Sequence, residues 1–354
     1  MGGHLRKVVP PLFFMNDITE IMAEVFSPDD LYLESGVFAK EQPLSIIGAP
    51  GVGKSLLVLQ MAVCFVTGRP FLGWQVRKHE FPWLILQTEN NGRRMQQTLN
   101  GYRKWLTEDE WKVVKEMIHI PSIADGYNSF LHLDKQDNIS LLRKIVVERQ
   151  PGVIVLDPLS SFAAGNISTR TGMESTIGAL AELANCGRDG CSLIILHHSL
   201  TGVEGVKKAH GFNRTAFARD SKLLVAWVRG QINIAPANEE NNTQLAVFCG
   251  KNSNGPEFET FGIKLDAETM TYDVDPTFDC LAWKGLVAGE APSAHRPNPK
   301  NVALLLKDIQ LVKKDLVAWI MEEFGCGKSK AYEAILEAEG VTIKRNEHGL
   351  FVPM

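Results

Sequence analysis

Several things this sequence lacks narrow the reading before any motif does. No apolar run approaches the roughly 18–20 residues of a membrane-spanning helix, so none is expected. The opening MGGHLRKVVPPLFFMND has one short apolar patch broken by two prolines, a poor match to a secretory leader. The six cysteines, Cys64, Cys186, Cys191, Cys249, Cys280 and Cys326, include no C-x-x-C pair. That argues against a zinc ribbon or a disulfide framework and fits a reducing, cytoplasmic setting. Cys64 and Cys249 lie inside apolar runs and read as small core residues. There is no excess of positive charge either: 37 basic residues face 41 acidic ones, for a net charge of −4. Any contact with a polyanion must therefore come from a local patch, not from the surface as a whole.

What is present is concentrated in Leu44–Ser55, LSIIGAPGVGKS. A short apolar run ends at Gly48, and Gly48-Ala49-Pro50-Gly51-Val52-Gly53-Lys54-Ser55-Leu56 then leads into a helical pattern. This is a complete G-x4-G-K-S phosphate loop with a strand before it and a helix after it. The glycines let the backbone turn tightly enough to aim N–H groups at phosphate, and the helix adds the positive end of its dipole. Lys54 is placed to reach the β- and γ-phosphates, and the Ser55 hydroxyl to ligate Mg²⁺. The expected cofactors are ATP and Mg²⁺.

With 354 residues, one large core and a smaller unit are expected. Residues 1–30 read as an arm with an amphipathic stretch at Ile18–Phe26, and 31–284 as the main core. Within that core, apolar strands (Trp83–Gln87, Val153–Leu156, Ser192–Leu196) alternate with helical patterns. These are Leu56–Val66, Arg93–Leu106, a capping-box start at Thr107-Glu-Asp-Glu110, Asn138–Arg149 and Glu174–Cys186. The alternation predicts an α/β fold with a parallel sheet. Farther on, Leu223–Val228, Leu245–Cys249, Glu257–Leu265 and Met270–Val274 read as strands without long helices between them, an antiparallel extension. Residues 285–300, rich in Pro, Ala and Gly, read as a linker. In 301–354, three helical stretches and a terminal hairpin at Asn346–Gly349 are expected to form a winged helix-turn-helix. A second GKS at Gly327-Lys328-Ser329 has no preceding strand and is rejected.

In an open parallel sheet, ligands bind beyond the carboxyl ends of the strands. Three apolar strands end in polar residues there: Glu89, Asp157 and His197-His198. Asp157, after V-I-V-L, is expected to hold the Mg²⁺ shell with Ser55. Glu89 is the candidate to orient and deprotonate an attacking water. His197 and His198 either cap a strand in a polar crevice or sense the γ-phosphate. The following loop carries Lys207, Lys208, His210 and Arg214, and is either a nucleic-acid contact or a solvated lid.

The ordered set GAPGVGKS, Glu89, VIVLDPL, LIILHHSLTG and AHGFNRTAFARDSKLLV resembles the RecA-like ATPase core of ring-forming replicative helicases. The likeness is to the DnaB and plasmid RepA kinds and related phage and mobile-element ATPases, over roughly residues 30–275. It implies a Walker A loop, a catalytic Glu89, a Walker B Asp157 and a γ-phosphate sensor at the His-His pair. It also implies a hexameric ring with ATP at subunit interfaces, and single-stranded DNA as partner in replication. Val247–Pro256 is similar to the helicase segment in which a Lys and an Arg reach the neighbouring subunit's nucleotide. Lys251 is in place, as a trans-acting group or else a simple turn residue, but the arginine position is Ser253. Either Arg214, Arg219 or Arg229 supplies the missing charge, or turnover is slow. The leading expectation is thus an ATP-driven helicase. The alternative is a DNA-binding adaptor or regulator whose hydrolysis switches assembly without unwinding. The C-terminal unit is left open between docking a replication or mobile-element protein and reading DNA.

Overall fold

The fold is given by a computed structural model that describes residues 17–23, 27, 30–121, 131–188, 190–199, 215, 217–218, 222–238, 243–288, 297, 299–307, 309–324 and 326–354. Nine strands form one sheet: β1 (Leu44–Gly48), β2 (Trp83–Gln87), β3 (Ile118–His119), β4 (Val153–Asp157), β5 (Ser192–His198), β6 (Gly230–Pro236), β7 (Gln244–Asn252), β8 (Phe261–Asp266) and β9 (Thr271–Asp275). Their spatial order is β3-β2-β4-β5-β1-β6-β7-β8-β9. From β3 to β6 every neighbouring pair is parallel, and from β6 to β9 every pair is antiparallel. This is the expected parallel core with an antiparallel extension.

The parallel strands are apolar on both faces because both faces are covered. Trp83, Ile85, Val153, Val155, Ile194 and Leu196 share one core with α2 (Lys54–Thr67), α3 (Gly92–Trp105) and α4 (Glu108–Met117). Leu84, Leu86, Ile154, Leu156, Leu193 and Ile195 share the other with α5 (Gln136–Arg149), α6 (Arg170–Ala184) and α7 (Lys222–Trp227). A period of two residues thus sorts each strand between two cores. A shorter helix, α1 (Ile18–Ala23), covers part of the amphipathic stretch expected near the N-terminus.

Local chemistry sets the helix ends. The Thr107 hydroxyl accepts from the Glu110 N–H while the Glu110 carboxylate accepts from the Thr107 N–H, the expected capping box of α4. Glu110 also takes a two-pronged contact from Arg69, at 2.7 and 2.8 Å, which ties the end of α2 to the start of α4. Asn91 Oδ1 caps α3 by accepting from the Arg94 N–H.

Two expectations are corrected. Leu223–Val228 is not a strand: Lys222–Trp227 is α7, with Leu224 buried. The strand instead follows as β6, whose apolar pattern is interrupted by the polar Gln231 and Asn233. Both are fully buried, and Gln231 Nε2 donates to Asn233 Oδ1 at 2.8 Å. The linker expected from residue 285 begins within a helix, α8 (Cys280–Ala288). Its Trp283 is buried and donates from Nε1 to the Pro236 carbonyl at 3.0 Å. Near the C-terminus lie α9 (Pro299–Leu305), α10 (Lys313–Phe324), α11 (Lys328–Ala338) and an antiparallel hairpin of β10 (Ile343–Arg345) and β11 (Phe351–Pro353). These share a core of their own, around Val302, Leu316, Ile320, Ile335, Ile343 and Phe351.

Candidate active site

Strand order brings the sequence-expected residues to one edge of the sheet. β2, β4, β5 and β1 are consecutive neighbours, all parallel, so their carboxyl ends lie side by side. Register pairs Gly48 with His198 and Gln87 with Asp157. Glu89 follows two residues beyond the end of β2. The loop, the acid of β4 and the histidine of β5 therefore meet at one crevice. A cleft there is lined by Gly51, Gly53, Lys54, Ser55, Glu89, Arg94 and Asp157, among others.

The loop has the backbone its glycines permit. Gly51 and Gly53 have φ of +73° and +101°, in the left-handed region. A Cβ at Gly53 would run into the Tyr272 hydroxyl, and one at Gly48 into Ile234 and Val52. Tyr272 is itself fixed from α2: Gln60 Nε2 donates to its carbonyl at 2.8 Å, and its N–H donates to Gln60 Oε1 at 2.7 Å. The antiparallel extension thus folds back to support the phosphate loop. Lys54 is buried, and its ammonium donates to the carbonyls of Gly48 and Ala49 at 2.8 and 2.9 Å. Burial lowers its pKa to about 8 against the opposing pull of Asp157 and Glu89. An anion in the loop would draw the ammonium off these carbonyls and restore its ordinary basicity.

Asp157 is buried at the end of β4 and is hydrogen-bonded to Ser55. Burial raises its carboxyl to about 6, and the nearby Glu89 charge adds to the rise. A desolvated carboxylate beside a serine hydroxyl is a hard-oxygen donor pair that fits Mg²⁺, which keeps most of its waters and takes few protein ligands. Glu89 is more open, with a side chain 53% exposed, and its Oε1 lies 3.8 Å from His198 Nε2. The other ring nitrogen of His198, Nδ1, lies 3.5 Å from Lys54 Nζ. His198 thus stands between the candidate base and the loop lysine.

The two histidines are separated by the pleat. His198 shares the α2 face with Ile194 and Leu196. His197 points to the opposite face, where it is buried and pairs in register with Ile47. Lys251 is not at this crevice. It donates to the carbonyls of Val225 and Ala226 at the end of α7, at 2.9 and 3.4 Å, and burial and the charge of Arg229 lower its pKa. Ser253, at the position expected to be arginine, donates its N–H to the Arg229 carbonyl at 2.9 Å. Lys207, Lys208, His210, Arg214 and Arg219 lie outside the described residues. The sequence reading missed Arg94, which lines the cleft from α3. It also missed the bond from Thr88 Oγ1 to Ser161 Oγ at 2.8 Å, which ties the turn before Glu89 to the segment after Asp157. Position alone could have flagged Arg94, since it falls in the first turn of the helix that follows Glu89.

The AAA domain family matches residues 11–201, more than half of the chain. No curated protein matches the sequence. Among solved structures, the chain is similar to the KaiC-like protein PH0186 from the hyperthermophilic archaeon Pyrococcus horikoshii OT3. The two are 15% identical, with a TM-score of 0.44 over 71% of this chain and 95% of that one.

Proposed function

The chain belongs to the AAA domain family and is a phosphate-loop ATPase, and we propose that it is a DNA translocase of the replicative-helicase kind. In this reading Mg-ATP is hydrolysed between subunits of a hexameric ring, and each event moves a strand of single-stranded DNA. The observation that carries the reading is the place of His198. It lies between Glu89 and Lys54 and ends β5, directly before the segment holding Lys207, Lys208, His210 and Arg214. A group that touches both base and loop, at the root of a basic segment, is suited to pass on the presence of a γ-phosphate.

Lys54 leaves its loop carbonyls for the β- and γ-phosphates, where its charge offsets that of the phosphates. Ser55 and Asp157 would hold Mg²⁺, which when bound draws electron density from the phosphate oxygens. Glu89 accepts a proton from water as the water oxygen bonds to the γ-phosphorus. The bond from that phosphorus to the bridging oxygen breaks, and ADP carries the electron pair away. His198 hydrogen-bonds the γ-phosphate and loses that partner when inorganic phosphate departs. At the far side of the parallel core, Lys251 and Arg229 form a pair of cations at one corner. Arg229 is the group that would replace the arginine missing at Ser253 and reach a neighbouring subunit's nucleotide.

The engagement of Lys251 with its own chain favours a second reading, an adaptor or regulatory ATPase in which hydrolysis only switches assembly. Strand displacement separates the two. With a forked duplex, ATP and Mg²⁺, the translocase releases the displaced strand, and Glu89→Gln, slowed in hydrolysis by about 10²–10⁴, does not. ATP hydrolysis by the wild-type protein without any strand release would remove the translocase reading and leave the adaptor.

A further inference from the structure

Residues 300–354 contain eight basic and eight acidic side chains, so their net charge suggests no partner. Their arrangement does. Lys313 and Lys314 open α10, and Lys328 and Lys330 open α11. Glu322 and Glu323 close α10, Glu337 lies in the last turn of α11, and Glu339 follows it as C-cap. Asp315 is the one acid in either first turn. Helix dipoles favour the reverse order, acids first and bases last. Apart from Glu339, which accepts from Arg345 Nε at 2.8 Å, and Lys313, which packs on Tyr332, the sorting works against the stability of both helices.

The two basic ends meet. Lys313 Nζ lies 5.2 Å from the centroid of the Tyr332 ring, which stands in the second turn of α11. The hairpin is drawn to the same side: the Phe351 N–H donates to the Leu311 carbonyl at 2.9 Å, and Asn346 Nδ2 donates to Gln310 Oε1 at 2.9 Å. Lys314, Lys328, Ser329 and Lys330 are exposed, as are Lys344 and His348 on the hairpin. Three elements thus present lysines and small polar groups, with Glu322, Glu323, Glu337 and Glu339 at the other ends of the helices, while Asp315, Glu333 and Glu347 are exposed acids within the same basic stretches.

We propose that this surface binds duplex DNA. The lysines of α10 and α11 lie on phosphates, and the exposed first turn of α11, Ser329 and Lys330, faces a groove. The acidic helix ends repel the backbone and so fix which way the unit docks. A rigid polyanion fits cations spread over two helices and a hairpin better than a single acidic segment of a protein does. This inference does not rest on the translocase reading, because it uses no residue of the ATP site and concerns paired rather than single strands.

The test measures binding of the 354-residue protein, without nucleotide, to a fluorescent duplex over a series of salt concentrations. Lys328→Ala with Lys330→Ala is expected to weaken binding about tenfold or more, and to make the log–log salt slope shallower by roughly 2. Basal ATPase and its response to single-stranded DNA are expected to stay at wild-type levels. Lys112→Ala with Lys115→Ala, a pair of exposed lysines on α4, should leave duplex affinity unchanged. The proposal is overturned if the wild-type protein does not bind duplex, or if the Lys328/Lys330 variant binds with unchanged affinity and slope. In either case a retained response to single-stranded DNA would keep the translocase reading intact and turn attention to an acidic protein partner.

Discussion

Asp157 is held in a state that costs the fold stability. Its carboxylate is buried with the pKa raised to about 6, so at pH 7 the folded chain bears an ionised group that the unfolded chain would carry more easily. This costs at most about 3 kcal/mol at neutral pH, and the cost is relieved as pH falls from about 6 towards the unfolded value near 4. Asp157→Asn is therefore expected to raise the Tm of the nucleotide-free protein while Mg²⁺-dependent ATP turnover falls by two orders of magnitude or more. Thermal unfolding and a turnover assay on one preparation check both directions. His79 behaves differently. It is buried among Tyr32, Phe65 and Phe81, and its Nδ1 accepts from Trp83 Nε1 at 3.1 Å. Burial lowers its pKa to about 3. The unfolded chain binds this proton near pH 6.5 and the folded chain only near 3, so stability drains away as pH falls through that interval, by at most about 5 kcal/mol. The loss of Tm between pH 7.5 and 4.5 should be smaller in His79→Phe than in the wild type. An equal loss in both would show that other groups set the acid limb. At this scale the phosphate loop was fully legible, because its chemistry lies in consecutive residues. The different fates of His197 and His198 were not, since only strand register decides which one faces Lys54. Arg94 was missed because an arginine in a polar first turn looks like any solvated side chain.

Among the elements, the junction of α2 and α4 is the clearest case of one residue serving two purposes. Glu110 completes the cap of α4 and also receives Arg69 from the end of α2, whose guanidinium holds the carboxyl down to about 2. This contribution is present above the ordinary glutamate range and is lost as pH falls towards 2. Glu110→Ala removes cap and tie together and is expected to cost about 1–3 kcal/mol, read as a lower Tm with ATP turnover at the same temperature unchanged. The capping box could be read from Thr107 and Glu110 three residues apart, but the Arg69 contact spans two helices and could not. The same limit explains the exchange of strand and helix at 222–236. The six residues KLLVAW, five of them apolar, fit a buried strand or a short helix equally well by periodicity. Gln231 and Asn233 then hide a central strand, the first donating to the second inside the sheet.

Over the whole molecule, the sheet divides the labour. Its parallel half carries the nucleotide crevice, and its antiparallel half returns Tyr272 beneath Gly53, so the extension is part of the site and not an appendage. The alternation of strands and helices made the parallel half readable from the sequence. The contact between Tyr272 and the loop, more than two hundred residues apart in the chain, left no local signal. No helix among the described residues is long and apolar enough to cross a membrane. The central claim is that events at the γ-phosphate are coupled through His198 to a nucleic-acid strand. The most direct measurement is the steady-state ATPase rate of wild type and His198→Ala across a titration of single-stranded DNA. The strand is expected to raise the wild-type rate about tenfold or more, and His198→Ala to flatten that response while still binding ATP. A wild-type rate that stays the same from no DNA to saturating DNA would contradict it.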